Sequence, residues 1–173
     1  MFDVKQHIPA VERALSSIGY DFTRFEVDHF VQTVAKRRKR PIEIATRSMS
    51  WGWFGVWMQR DTADYIFVNE TVHPVMHIHS LLHEIGHMVL GHHGDDLNTL
   101  LDPEMLASLG ITNERGHLRA SGRPRSPEDS EAELFVFLLQ RRVMQARRLS
   151  ELYGEPTSIE ELKPYARGMD FNS

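Results

Sequence analysis

The sequence predicts a single α+β domain over residues 1–173, with a small antiparallel sheet packed beside helices. Three observations favour this class. A length of 173 residues corresponds to about one domain. Hydrophobic residues make up 41% of the chain and charged residues 25%, as in ordinary globular proteins, which excludes a mainly disordered chain. Apolar residues recur at helical spacing near both ends and alternate in between, so helices flank a group of strands.

The first part of the chain predicts two helices followed by three strands. The helices are expected at 4–18 and 24–38, and the strands at 42–48, 51–60 and 64–70. Gly19 offers a stop for the first helix. The three tryptophans of the second strand share one parity and are interpreted as sheet core. Strands joined by such short connections are expected to be antiparallel neighbours.

The second part of the chain predicts two long helices separated by less regular segments. Residues 74–90 form a helix that starts at a proline and stops at a glycine. A short helix is expected within 95–110, and 112–126 has the composition of a mobile surface loop. The Ser-Pro-Glu-Asp sequence that follows predicts a capped helix over 126–152, with acids at the positive end of its dipole.

Composition excludes several classes of protein. The net charge of −4 gives no basic field for nucleic acid, and the basic run 36–40 is interpreted as a solvated helix end. The chain has no cysteine, so disulfides, thiol catalysis and thiolate zinc sites are excluded, and a metal must be held by histidines and carboxylates. No apolar run is long enough to span a membrane and the N-terminus does not resemble a signal peptide, so the expected compartment is the cytoplasm.

Histidines concentrate in one segment, where they form a known metal-binding pattern. Seven of the ten lie between His73 and His93, and His83-Glu84-Ile85-Gly86-His87 is an HExxH sequence inside the predicted helix. Residues four apart share one helix face, so His83 and His87 can bind one zinc ion while Glu84 acts as general base. Random order of this composition gives roughly 0.05 such matches. The small Gly86 is expected to leave room beside the metal.

A catalytic zinc needs a third protein ligand, and the residues leave several candidates open. His79 lies one turn before His83 but about 12 Å from His87 along the helix, so we expect it outside the ligand set. His93 occupies the third-ligand position of another HExxH class, although the glycine which that geometry needs is displaced by one residue. Glu131 shares a helix side with apolar residues, where a metal would compensate its burial, and Glu133 is the fallback.

Three stretches of the chain resemble the ImmA/IrrE family of metallopeptidases. Residues 83–92 look like the family's HELGHxxLxH stretch, and 68–69 resemble a "VN" step that precedes it. Residues 131–136, followed by two leucines at 138–139, look like its downstream EAnxFAxxLL helix. The resemblance covers roughly 65–139, and it departs from the pattern where a glutamate replaces the usual asparagine, a valine replaces an alanine, and no proline follows the second leucine.

The resemblance implies a zincin-like fold, in which the sheet lies beside the active-site helix and a second helix delivers a carboxylate. Position by position, His83 and His87 would be zinc ligands, Glu84 the general base and Glu131 the third ligand. It also implies a zinc metalloendopeptidase that hydrolyses peptide bonds of a regulatory protein, such as a helix-turn-helix transcriptional repressor, in stress response or mobile-element control.

The expected partner is therefore a protein substrate, with no membrane partner and no nucleic acid. A different class of function stays open. The same fold can serve as a non-catalytic, zinc-stabilised module that binds a protein, as an anti-repressor or a toxin–antitoxin partner does. Substrate, trigger and oligomeric state do not follow from the sequence.

Overall fold

The computed structural model describes residues 3–49, 52–93, 95–96, 107, 117–121 and 126–153, and it has the α+β class that the sequence predicts. The elements are α1 (Val4–Ile18), a 3₁₀ turn (Phe22–Arg24), α2 (Val27–Arg38), β1 (Ile42–Arg47), β2 (Gly55–Gln59), β3 (Asp64–Asn69), α3 (Pro74–Leu90), β4 (Asp95–Asp96), β5 (His117–Ser121) and α4 (Pro127–Tyr153). No helix in these ranges is long and apolar enough to cross a bilayer.

Local chemistry sets the ends of α1 and α3 where the sequence predicts them. The Asp3 side chain accepts a hydrogen bond from the Lys5 backbone N–H, and Gly19 closes α1 in the left-handed conformation at φ 69°. Pro74 occupies the first turn of α3, and Gly91 closes that helix at φ 73°. The second predicted helix begins later than expected, because the backbone forms a separate 3₁₀ turn before α2.

The sheet is mixed, so the prediction of an antiparallel sheet is wrong for one strand. The strand order is β1-β3-β2-β5-β4. β2 pairs antiparallel with β3, as expected, and also with β5, but β1 pairs with β3 in parallel and does not neighbour β2. The connection between β1 and β2 must therefore pass over the end of β3 and enter the sheet on its other side.

Asn69, the last residue of β3, holds this crossing connection. Its Nδ2 donates to the carbonyl of Trp53 at 2.8 Å and lies 3.5 Å from the carbonyl of Met49. Because β2 begins only at Gly55, Trp53 lies before the strand, and the expected row of three core tryptophans does not form. Trp57 is the buried one, whereas the first tryptophan of the predicted row lies outside the described residues.

Two sheet strands lie in segments for which the sequence predicted something else. Residues 117–121 fall inside the expected loop 112–126 but pair along β2 as β5. Residues 95–96 lie at the start of the segment 95–110, within which a short helix is expected, and they pair with β5 as β4; residue 107 of the same segment is helical. The polar composition of 117–121 suggested a loop. The strand forms because the edge of β2 needs a partner for its backbone N–H and C=O groups, which the local sequence does not reveal. Most of the remainder of both ranges lies outside the described residues.

The hydrophobic core lies between the sheet and the helices. It includes Leu15 of α1, Phe30 of α2, Ile66 of β3, Ile85 of α3 and Phe135 of α4, none of which is exposed to solvent. Residues 80–88 of α3 are all buried, so this helix is enclosed on every side along its second half. The HExxH segment is therefore positioned by core packing rather than by a loop.

A buried ion pair fixes the C-terminal end of α3 against the sheet. Arg38 donates to the fully buried Asp64 at 3.0 Å and to the carbonyl of Met88 at 2.8 Å. Trp57 donates its indole N–H to the same carboxylate at 3.3 Å. Arg38 is thus a structural residue, and the interpretation of the run 36–40 as simply solvated is wrong at this position. The pair satisfies a buried charge and a helix-end carbonyl together.

Gly86 has a packing role between two helices, and the role of leaving room beside a metal stays a prediction. A Cβ added at Gly86 would lie 3.1 Å from Cδ1 of Phe135 and 3.4 Å from Cα of Ala132, both on α4. The missing side chain therefore lets α3 and α4 approach closely. This contact brings the polar side chains on the first turns of α4 beside the histidines of α3.

Replacement of Gly86 by alanine should destabilise the protein. Overpacking against the buried ring of Phe135 costs about 1–3 kcal/mol, and the better helix propensity of alanine returns about 1 kcal/mol. We expect a net loss of about 1 kcal/mol in the free energy of unfolding, measured by urea denaturation. In a double-mutant cycle with Phe135→Leu, the two losses should be less than additive. Full additivity would show that this contact does not limit the helix packing.

Candidate metal centre

His83 and His87 lie one turn apart on α3, as the HExxH spacing predicts, and their rings converge. Their Nε2 atoms are 3.0 Å apart and their ring centroids 4.8 Å apart. The exposed fraction is 4% for His83 and 0% for His87. Glu84, between them in sequence, is also fully buried. The two imidazoles and the Glu84 carboxylate are therefore all buried in the helix packing.

The spacing of the two nitrogens suits a shared metal ion. Nitrogens that bind one tetrahedral zinc at about 2.0–2.1 Å lie about 3.3 Å from each other, close to the distance seen here. A third donor atom completes the set, since Oδ1 of Asp129 lies 3.5 Å from Nε2 of His87. His83, His87 and Asp129 each offer one ligand atom within 4.8 Å of the others. The residues present therefore fit a His₂-carboxylate metal site.

Asp129 reaches the histidines because it also caps the helix that carries it. Its backbone N–H donates to Oγ of Ser126 at 3.1 Å, and its Oδ2 accepts from the Ser126 N–H at 2.7 Å. This reciprocal pair is a capping box with aspartate as the acid. The capping bond fixes the carboxylate and leaves Oδ1 facing His87.

Asp129 is one of the acids expected at the positive end of the helix dipole, but its position is not that of a solvated side chain. Its side chain is only 16% exposed. The signal that could have found it was the Ser-x-x-Asp spacing, which orients the acid toward whatever packs on the first turn of the helix. From the sequence alone that neighbour was unknown, because it depends on how α4 lies against α3.

Glu131, which the resemblance nominates as third ligand, faces other partners. Its Oε2 lies 2.8 Å from Nε2 of His92, and its Oε1 lies 2.5 Å from Nδ1 of His7 on α1. Burial acts to raise the pKa of Glu131, but the hydrogen bonds from His92 and His7 outweigh it and hold the pKa below its usual range. Among the described residues, Glu131 is not part of a donor set that includes His83 or His87.

A chain of hydrogen bonds connects Glu131 to the proposed ligand His87. Nδ1 of His87 lies 2.8 Å from Nδ1 of His92, whose Nε2 meets Glu131. If Nε2 of His87 serves a metal, its proton sits on Nδ1 and is donated to His92, which in turn donates from Nε2 to the carboxylate. His92 and Glu131 therefore select the metal-binding tautomer of His87.

Glu133, the fallback ligand, contacts the Nδ1 side of the His83 ring, as His92 contacts the Nδ1 side of His87. Its Oε1 lies 3.2 Å from Nδ1 of His83, and its Oε2 lies 3.2 Å from Nε2 of His79. The hydrogen bond from His79 and the contact with His83 lower the pKa of Glu133, and the bond to Glu133 raises the pKa of His79. A carboxylate thus supports each of the two candidate ligands on the side away from the other.

The remaining candidates lie elsewhere. His93 is exposed and belongs to none of the donor sets found among the described residues. His73, the first histidine of the histidine-rich segment, caps α3 by accepting from the Val75 N–H at 3.3 Å. The sequence reasoning missed three contributors, namely Asp129, His92 as the partner of His87, and His7 from the first helix.

Comparisons with known proteins add no relatives to this picture. No protein-family model, no curated protein and no solved structure matches the chain. The resemblance to the ImmA/IrrE family rests on the sequence motifs alone, and family membership stays a prediction.

Replacement of Glu133 by glutamine should lower the pKa of His79 toward its ordinary value of 6.5, because the neutral amide no longer favours the imidazolium. Proton NMR titration of the metal-free protein measures this shift, and His29 on α2 serves as an unaffected reference. An unchanged His79 pKa would contradict the pairing with Glu133.

The same pair predicts a pH dependence of stability. Because the pKa of His79 is raised, the stability that its bond to Glu133 adds to the folded state is complete below pH 6.5 and is lost as the pH rises through the raised pKa. Because the pKa of Glu133 is lowered, the stability that its carboxylate adds to the folded state is complete above pH 4.5 and is lost as the pH falls through the lowered pKa. The stability difference between the parent and Glu133→Gln should therefore be largest between about pH 4.5 and 6.5.

Proposed function

We propose that the chain is a zinc-dependent endopeptidase that hydrolyses peptide bonds of a regulatory protein. The observation that carries the proposal is the convergence of the His83 and His87 Nε2 atoms at 3.0 Å, with Glu84 between them on a buried helix. This pairing of two imidazoles with an adjacent carboxylate is the donor and base arrangement of HExxH hydrolases.

The donor chemistry favours zinc. Two imidazoles and one carboxylate suit its borderline character and leave a fourth position for water or substrate. His83 and His87 would hold the ion, and Asp129 is the third ligand that the distances favour over Glu131. A bound zinc ion would act as a Lewis acid, lowering the pKa of water toward about 7 and polarising a peptide carbonyl.

Glu84 has the role of general base. Its carboxylate would take the proton of the attacking water and pass it to the nitrogen of the leaving amine. Its full burial keeps competing water away from that proton transfer. Glu131, through His92, and Glu133 would hold the two imidazoles in the orientation and tautomer that the reaction needs.

The substrate class follows from the resemblance and is part of the proposal. Members of the ImmA/IrrE family act on helix-turn-helix repressors, so we propose such a repressor as the target, in stress response or mobile-element control. The site would act in a cytoplasmic setting, where a cysteine-free, His-and-carboxylate metal site needs no oxidising environment.

One observation favours a second candidate function. Both imidazoles and Glu84 are almost fully buried, and structural zinc sites are closed whereas catalytic sites keep an open position. The alternative is therefore a zinc-stabilised binding module that removes a repressor or toxin by contact, without cleavage.

Replacement of Glu84 by glutamine separates the two. The variant should bind zinc like the parent, since Glu84 is not a proposed ligand, and should lose hydrolysis by at least about 100-fold. The assay incubates each protein with repressors encoded near its gene and identifies new peptide termini by mass spectrometry. Glu43→Gln, an exposed substitution on β1, is the matched control and should cleave normally.

Target release without new termini in both the parent and Glu84→Gln would establish the binding module instead. Cleavage by Glu84→Gln at the parental rate would contradict the role of Glu84.

The third ligand is tested by zinc affinity. Asp129→Asn keeps a capping side chain but supplies a poor metal donor, so we expect a loss greater than about 100-fold. Glu131→Gln acts only through His92 and should cost about 10–100-fold, the usual range for a residue behind a ligand. Competition with a chromophoric chelator measures both, with Glu128→Gln as the control from the same helix turn. A larger loss of zinc affinity in Glu131→Gln than in Asp129→Asn would identify Glu131 as the third ligand.

A further inference from the structure

A second group of potential ligands lies on the outer side of His83. Nε2 of His79, Nδ1 of His83 and a carboxylate oxygen of Glu133 lie within 4.8 Å of one another. The individual distances are 3.2 Å from Nδ1 of His83 to Glu133 and 3.2 Å from Nε2 of His79 to Glu133. We call these three residues the outer set, and His83, His87 and Asp129 the inner set.

The two sets share His83 but use opposite atoms of its ring. Nε2 faces His87 in the inner set, whereas Nδ1 faces Glu133 in the outer set. His79, His83 and His87 follow one another at intervals of four residues on α3, so the first and last are about 12 Å apart along the axis. One ion cannot take all three imidazoles, but two ions can, with the middle ring between them.

Burial and alignment point to a ligand at the outer set. Within the described part of the chain, Nδ1 of His83 is a buried atom without an aligned hydrogen bond, although the Glu133 carboxylate lies within 3.2 Å. The two other members are open to solvent, with side chains 30% exposed for His79 and 39% for Glu133. A cation can therefore arrive from solvent and still find a buried nitrogen as its anchor.

We propose that the outer set is a second, weaker binding site for a divalent cation of the zinc type, filled after the inner set. The ion binds Nε2 of His79, Nδ1 of His83 and the Glu133 carboxylate, and the proton of Nδ1 leaves to solvent. The proposal rests on the metal centre of the proposed function but not on hydrolysis.

A metal ion bound at one site must weaken the binding of a metal ion at the other. Two dications on one imidazole ring repel, and the effect is reciprocal, so each ion weakens the binding of the other. The exposed donors of the outer set also lose more side-chain freedom on binding than the buried donors of the inner set. We expect the second zinc to bind at least about tenfold more weakly than the first.

Calorimetric titration of the full metal-free chain with Zn²⁺ tests the proposal. The parent should show two binding steps of different affinity. His79→Ala should lose the weaker step and keep the stronger one. Glu133→Gln should also lose the weaker step, and it should weaken the stronger step by about 10–100-fold because Glu133 contacts Nδ1 of the shared ligand His83. His77→Ala, another histidine of α3 that belongs to neither set, is the matched control and should keep both steps.

Nitrogen NMR of His83 provides a readout that does not depend on counting ions. Its Nε2 signal should move during the first equivalent of zinc, and its Nδ1 signal during the second. One binding step in the parent, or two in His79→Ala, would overturn the outer site. A single step that moves only the Nε2 signal leaves the inner site intact, whereas a single step that moves only the Nδ1 signal contradicts the inner site, so the two failures are distinguishable.

Discussion

The close contact between α3 and α4 is the constraint on which the rest of the structure depends. Gly86 lets the ring of Phe135 and the backbone at Ala132 approach α3 to within the space that a side chain would fill. The two helices run antiparallel here, so Asp129 meets His87 and Glu133 meets His83. Acids placed at the start of α4 for capping and dipole reasons thereby become partners of buried histidines.

Burying these polar groups would be costly without such mutual pairing. His87 is hydrogen-bonded to His92, His92 to Glu131, and Glu131 to His7 of α1. Three segments of the chain must therefore pack together before this hydrogen-bond network is complete. At the same C-terminal end of α3, Arg38 donates to the carbonyl of Met88 and pairs with the buried carboxylate of Asp64. The fold thus holds two imidazole nitrogens toward a common point while fixing the C-terminal half of the helix, which is the preorganisation that a metal centre requires.

Local patterns predicted the helices and the ligand pair, because capping residues and the i, i+4 spacing of His83 and His87 act within a few residues. Long-range choices were not readable. β1 pairs in parallel with β3, and Asn69 holds the connection from β1 to β2 through the carbonyl of Trp53, a contact that local sequence patterns do not show. The sequence pointed to Glu131, with Glu133 as the fallback, and not to Asp129. Which acids of α4 face His83 and His87 depends on the rotation of α4 about its axis, and the packing of Gly86 against Phe135 sets that rotation.

The central claim is that His83 and His87 of α3 bind one metal ion together. Its most direct test is the zinc content of the protein after equilibration with buffered zinc at low free concentration, for the parent, His87→Ala and the control His77→Ala. The account predicts about one zinc ion in the parent and in His77→Ala, and none in His87→Ala. A parent that stays free of zinc, or a His87→Ala variant that keeps it, would contradict the account.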